Sequence, residues 1–275
     1  MKEEKMKGKK IKDKKTVNGS DKLLLAAQII LGVVMLVLIW KMGVYFVDER
    51  KSLNFSKDLQ ESVILIENPT GNEAGQNSQE TEGTQEATDI PEAIDFDSLH
   101  EISRDAIAWI YVPGVEINDV VAQAKDNDYY LHRLLDGTKA SGGTLFMDFR
   151  NSADLSDWNT VIYGHNMKNG TMFAFLLDYG NPDYYEEHPV IYLYTPGKRY
   201  KIELIAGYTT SVDDPVYSVP ATKESRNAIL DHAHKVSTFI SDVTVGDGDR
   251  LVTLSTCSYA YDDARYVVIG KLMEE

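Results

Sequence analysis

Arg250-Leu251-Val252-Thr253-Leu254-Ser255-Thr256-Cys257 alternates β-branched and apolar residues, turns polar near its end, and stops at the only cysteine in the chain. Such a run reads as a β-strand, so the thiol stands at a strand end where a loop begins. Outward from it, seven further runs have the same character: 108–112, 118–122, 143–148, 160–163, 190–194, 200–208 and 266–272. Helical spacing interrupts them at 171–179 and at 222–240, where Ile229, Ala233, Val236 and Ile240 recur at i, i+4, i+7 and i+11. Asp95 or Asp97 can cap a short helix reaching Ala106. About eight short strands with few helices predict a mainly β fold with added helices, closed or nearly closed as an eight-stranded barrel, because closure removes exposed strand edges.

The chain has 275 residues, 43% hydrophobic and 26% charged, which suffices for one or two packed domains and excludes a wholly disordered or collagen-like chain. A single cysteine cannot form an intramolecular disulfide, so stability rests on core packing. Charge is unevenly placed. Residues 1–22 hold nine lysines against four acids, whereas the remainder holds 39 acidic side chains against 19 basic ones. So acidic a body repels a phosphate backbone, and nucleic acid is excluded as a partner.

Residues 23–40 carry no charge, and the apolar run continues past Lys41 to Val47. About 20 such residues cross the ~30 Å of bilayer hydrocarbon, with Trp40 at the interface and Lys41 snorkelling its ammonium outward. No small-residue cleavage site follows, so 23–47 reads as a transmembrane signal-anchor helix in the lipid bilayer rather than a cleaved signal peptide. The positive-inside rule keeps the basic segment 1–22 in the cytoplasm and places the rest outside, in a single pass of the cell membrane. Residues 51–67 have roughly helical apolar spacing and read as a juxtamembrane helix. Residues 68–90 contain no aromatic, Lys or Arg and read as a flexible acidic spacer. Within it Asn68-Pro69-Thr70-Gly71 looks like part of a wall-sorting signal, but it is also ordinary turn chemistry, and it is read as a turn. Residues 91–275 are the size of one globular domain, where function is to be sought.

A free cysteine is most often a small buried hydrophobe. Cys257 departs from that pattern because Ser255, Thr256 and Ser258 flank it and a strand end presents it to a loop. Arg265 returns on the next strand, where a guanidinium would favour a thiolate or an oxyanion; the alternative is a surface arginine paired with Asp262 or Asp263. A base is sought among six histidines, His100, His132, His165, His188, His232 and His234, of which His100, His188, His232 and His234 have no motif context. His165 differs. It ends the strand Thr160-Val161-Ile162-Tyr163, turns at Gly164 and leads into Asn166-Met167-Lys168-Asn169-Gly170. A cysteine and a histidine at two strand ends with an arginine nearby suit nucleophilic acyl transfer. One cysteine, no His-x-x-x-His pair and no phosphate loop leave no expected metal site or cofactor.

These residues resemble the sortases, and among them class B. The likeness lies in Thr253-Leu254-Ser255-Thr256-Cys257 with Arg265 downstream, in Tyr163-Gly164-His165-Asn166-Met167 followed by Thr171-Met172-Phe173, in 125–131 and in 143–151, and it covers about 95–275. It implies an eight-stranded sortase-type β-barrel preceded by one transmembrane helix, on the outer face of a Gram-positive membrane. It implies a cysteine transpeptidase in which Cys257 attacks the threonine carbonyl of a C-terminal sorting signal, LPxTG-like or NPxTN-like, and a peptidoglycan amine resolves the thioester. It gives His165 the role of acid and base, Arg265 that of oxyanion stabiliser, and Asn127, Leu131, Ser255 and Tyr217 that of signal-binding residues. Pilin polymerisation is the alternative within the family. Outside it stand a cysteine protease and a non-catalytic extracytoplasmic binding module with an inert thiol.

Overall fold

A computed structural model describes residues 19–65, 90–219 and 221–275. Most of the basic segment 1–22 and of the spacer 68–90, including Asn68-Pro69-Thr70-Gly71, lies outside the described residues. The chain divides into two units between Val47 and Asp48. Up to Val47 the described residues belong to α1 (Gly19–Val63), whose large apolar side chains between Leu23 and Val47 are exposed; α1 is long and apolar enough to cross a membrane. Asp48-Glu49-Arg50-Lys51 contains neither proline nor glycine, so nothing in the local sequence ends the helix there, and the helix expected over 51–67 forms the last turns of α1 but stops at Val63, since Ile64–Leu65 is extended and pairs with another strand.

The unit from Asp48 onward centres on a closed barrel. Its strands are β3 (Ala106–Val112), β4 (Ile117–Ala122), β5 (Leu145–Met147), β6 (Asn159–Tyr163), β7 (Val190–Thr195), β8 (Lys198–Thr210), β9 (Arg250–Cys257) and β10 (Arg265–Glu274), ordered β10-β8-β7-β3-β4-β5-β6-β9 around the barrel. All eight expected strands are present. A two-stranded pairing of β1 (Ile64–Leu65) with β2 (Ala93–Ile94) stands apart from the barrel and escapes sequence reading, because two residues show no periodicity.

Three apolar clusters fix this arrangement. The barrel interior is filled by alternating side chains such as Ile110, Val121, Leu145, Ile162, Leu193, Ile202, Val252, Leu254 and Val268, closed at one side by Phe173, Phe175 and Tyr179. Outside, Leu59 and Val63 at the end of α1 pack with Leu99 of α2 (Phe96–Ile102) against Trp109, Val120 and Phe146. Asp95 caps α2, its Oδ1 accepting from the amides of Asp97 and Ser98, and the helix stops at Ile102 rather than Ala106 because the chain there enters β3. On another face α4 (Lys223–Val236) lays Ile229, Leu230 and Ala233 on Ile205, Leu251 and Val267. α4 ends at Val236 instead of 240: Ser237 leaves the helix, and its hydroxyl donates to the Phe239 carbonyl and accepts from the Gly207 amide of β8. The helical spacing at 171–179 becomes a 3-10 helix at Ala174–Gly180, followed by α3 (Pro182–Glu187), a proline-started helix too short for its periodicity to be read.

Candidate active site

β6 and β9 are parallel neighbours, with Tyr163 opposite Ser255, so both chains leave the barrel at the same end. Two bonds extend the pairing past the strands: the Gly164 amide donates to the Ser255 carbonyl (3.1 Å) and the Thr256 hydroxyl to the Gly164 carbonyl (2.9 Å). The residue after Gly164 is His165, and the residue after Thr256 is Cys257. Asn166 locks the two loops by donating from Nδ2 to the Cys257 carbonyl (3.0 Å), and the Phe173 amide returns to the His165 carbonyl (3.0 Å). Only glycine fits at 164, since a Cβ there would lie 2.5 Å from Leu145 Cδ2 and 2.7 Å from Phe173 Cγ.

On the other side of β9, β10 runs antiparallel and sets Arg265 opposite Cys257. The alternative, a surface pairing with Asp262 or Asp263, is not formed: among the described residues Arg265 makes no ion pair, and its Nη1 donates only to the adjacent Ala264 carbonyl (3.0 Å). Cys257 is partly exposed rather than a core filler. Cys257, His165 and Arg265 line one open pocket of about 330 Å³ together with Asn127, Leu131, Ser255 and Tyr217. All seven residues singled out in the sequence therefore meet.

Comparison with known proteins decides the family. Residues 110–273 match the Sortase domain. The chain belongs to the sortase family. It is 37% identical to sortase B of Listeria monocytogenes over 180 residues, covering 64% of this chain and 72% of the relative. Among solved structures, a Staphylococcus aureus sortase B–substrate complex aligns with TM-score 0.61 at 34% identity over 65% of this chain and 84% of that one. Sortase B of Bacillus anthracis in complex with AAEK1 aligns with TM-score 0.67 at 28% identity over 84% of this chain and all of that one. The protein is a class B sortase, a cysteine transpeptidase.

In this sortase the His165 ring is held by a backbone group rather than a carboxylate. Nε2 lies 2.7 Å from the Leu131 carbonyl oxygen. A carbonyl only accepts, so Nε2 carries the hydrogen and Nδ1 is the nitrogen free to take or give a proton. Burial pulls the His165 pKa below the ordinary histidine value, the Leu131 carbonyl opposes this, and the neighbouring His132 charge adds to the lowering.

Beneath the pocket lies a polar network that the sequence did not announce. Asp148, fully buried, accepts from Arg150 through both oxygens (2.8 Å each), from the Tyr163 hydroxyl (2.8 Å) and from Asn127 Nδ2 (3.1 Å). Burial alone would raise the Asp148 pKa; the Arg150 side chain first, then the Arg150 amide, Tyr163 and Asn127, outweigh it and hold the carboxyl below the usual range. Asn127 also accepts from the Phe149 amide (3.0 Å), so its amide braces the pocket wall at both ends. Arg150 reaches the Tyr217 carbonyl (3.3 Å), and the Tyr217 hydroxyl meets the Ser255 hydroxyl at 2.7 Å. The chain before Tyr217 is pinned by Asn159, which donates to the Val216 carbonyl (2.9 Å) and accepts from Thr253 of β9 (2.8 Å). Asp148, Arg150 and Tyr163 lie in segments that carry the resemblance, 143–151 and 163–167, but nothing in their local spacing shows that they meet.

Proposed function

We propose that this sortase is a single-pass membrane enzyme, N-terminus inside, that cleaves the C-terminal sorting signal of secreted proteins after threonine and joins them to a cell-wall peptidoglycan amine. The observation that carries the reading is the convergence of Cys257, His165 and Arg265, from three adjacent strand ends, on one pocket. The exposed apolar length of α1 supports the anchor, and the lysines of 1–22 support its orientation.

In this reading the Cys257 thiolate attacks the threonine carbonyl carbon, and the negative charge that develops on oxygen is met by the Arg265 guanidinium. The scissile C–N bond breaks as Nδ1–H of His165 gives its proton to the leaving amine. A thioester remains. The incoming amine attacks the thioester, His165 Nδ1 takes the amine proton, the C–S bond breaks, and the thiolate is restored. Tyr217, Ser255, Leu131 and the braced wall at Asn127 accommodate the signal in an extended form. A thioester keeps the acyl group activated for an amine, which suits transfer over hydrolysis.

The test is product analysis of the whole chain in detergent with peptides spanning LPxTG-like and NPxTN-like signals, with and without triglycine. The expected result is amine-dependent ligated product from at least one signal, absent in Cys257→Ala. Rapid hydrolysis unaffected by amine would make the enzyme a protease and overturn the reading.

A further inference from the structure

His132 sits at the end of a 3-10 turn, Tyr130–His132, directly after the residue whose carbonyl holds His165. Its side chain is exposed, and among the described residues its ring nitrogens make no hydrogen bond. Its ring stacks on that of His165, centroids 5.5 Å apart and planes 15° apart.

The turn is built to hold this position. The Ala140 amide donates to the His132 carbonyl (3.2 Å), the Thr144 amide to the Tyr130 carbonyl (3.0 Å), and the Thr144 hydroxyl to the Arg133 carbonyl (2.8 Å). Gly143, with φ +61°, passes beneath it so closely that a Cβ would collide with the Tyr130 and Leu131 carbonyls. A catalytic imidazole held by one hydrogen bond can still rotate about that bond, and a flat ring against its face removes this freedom.

We propose that His132 is a positioning residue for transpeptidation: its imidazole, stacked on His165, keeps the His165 ring seated on the Leu131 carbonyl so that Nδ1 remains the nitrogen that takes and gives the proton. The inference rests on the reading of His165 as acid and base. It has an electrostatic side as well. Besides His165, the titratable or charged groups lining its pocket are Cys257 on β9, Arg265 on β10, Tyr163 on β6, Tyr217 and Arg150, and none of them is a carboxylate. A charge on His132 therefore disfavours a second charge on His165, and among these groups only a Cys257 thiolate would offset it.

The experiment compares the whole chain in detergent as wild type, His132→Ala, His132→Phe and His165→Ala, with signal peptide and triglycine. His132→Ala is expected to lose about tenfold in kcat with KM changed less than twofold, and His132→Phe, which restores a flat ring, to recover most of that loss. In both variants the acidic limb of the pH profile moves upward, because the neighbouring charge is gone. Wild-type kcat and profile in His132→Ala, a loss confined to KM, or a Phe variant no better than Ala would overturn the proposal. Turnover retained in His165→Ala would instead overturn the acid–base reading on which it rests. As a check independent of turnover, the ring-nitrogen NMR of histidine-labelled wild type should show His165 protonated on Nε2, with a mixture of tautomers in His132→Ala; an unchanged spectrum in that variant would also count against it.

Discussion

Arg265 stands directly opposite Cys257 in the antiparallel pairing of β9 and β10, and no carboxylate among the described residues neutralises it. Strand register sets the two backbones side by side, and both side chains line the same pocket. Arg265→Ala should lower kcat by ~10²–10³, the cost of losing one oxyanion donor. Arg265→Lys should recover only part, because a point charge does not reproduce the planar fork. Thermal unfolding checks that the effect is chemical: the side chain's one described hydrogen bond is to its neighbour Ala264, so the midpoint should move little.

The pH profile follows from the direction of the His165 shift. With the imidazole pKa lowered by burial, the protonated ring is disfavoured near neutrality, and the acidic limb of kcat/KM should fall below ~6.5, the ordinary histidine value. Rates measured with a saturating amine from acidic to alkaline pH decide this. A limb at or above the ordinary value would contradict the burial of His165.

Gly164→Ala tests how closely the barrel end is packed. The added Cβ meets Leu145 and Phe173, so either the side chains or the loop must shift. Overpacking of this kind costs ~1–3 kcal/mol. The expected outcome is a lower unfolding midpoint and a fall in kcat, since the adjoining residue is His165.

Asp148→Asn should destabilise the fold by about 2–3 kcal/mol, below the ~3–5 kcal/mol for breaking a fully buried pair because Arg150 is 39% exposed and its charge is partly screened. The sign with pH is set by the lowered folded-state pKa. Asp148 contributes its full stabilisation above the unfolded value of ~3.9 and loses it as pH falls toward the lower folded value. Urea unfolding at pH 7 and at about pH 3, below the unfolded value, should show the variant closer to wild type at the lower pH.

The end of α1 is part of the folded unit. Leu59 and Val63 are buried against Trp109, and the Ser56 hydroxyl donates to Asp119 (3.1 Å). A chain begun at residue 91 should therefore be less stable than one begun at 48 by on the order of 3 kcal/mol, the burial of two aliphatic side chains. Denaturant unfolding of the two chains measures it.

The strands were legible because each buries a regular set of side chains, and Ile162, Leu254 and Val268 alternate cleanly into the barrel. Cys257 and His165 were legible because each follows a strand end and breaks its pattern. The docking of α1 was not, since Phe55, Leu59 and Val63 show which face is apolar and not what covers it. His132 and Asp148 were also silent: one acts through a ring contact between residues 33 positions apart, the other through partners gathered from Asn127, Arg150 and Tyr163, and neither relation leaves a local spacing.

Everything in the proposed reaction rests on Cys257 being acylated. Intact-mass measurement of the whole chain, mixed with signal peptide in the absence of amine and quenched in acid, reads this out. The expected result is an adduct equal to the peptide up to and including its threonine, mapped to Cys257, removed by triglycine and absent from Cys257→Ala. An unmodified chain with every signal peptide, or an adduct that survives the Cys257→Ala substitution, would contradict it.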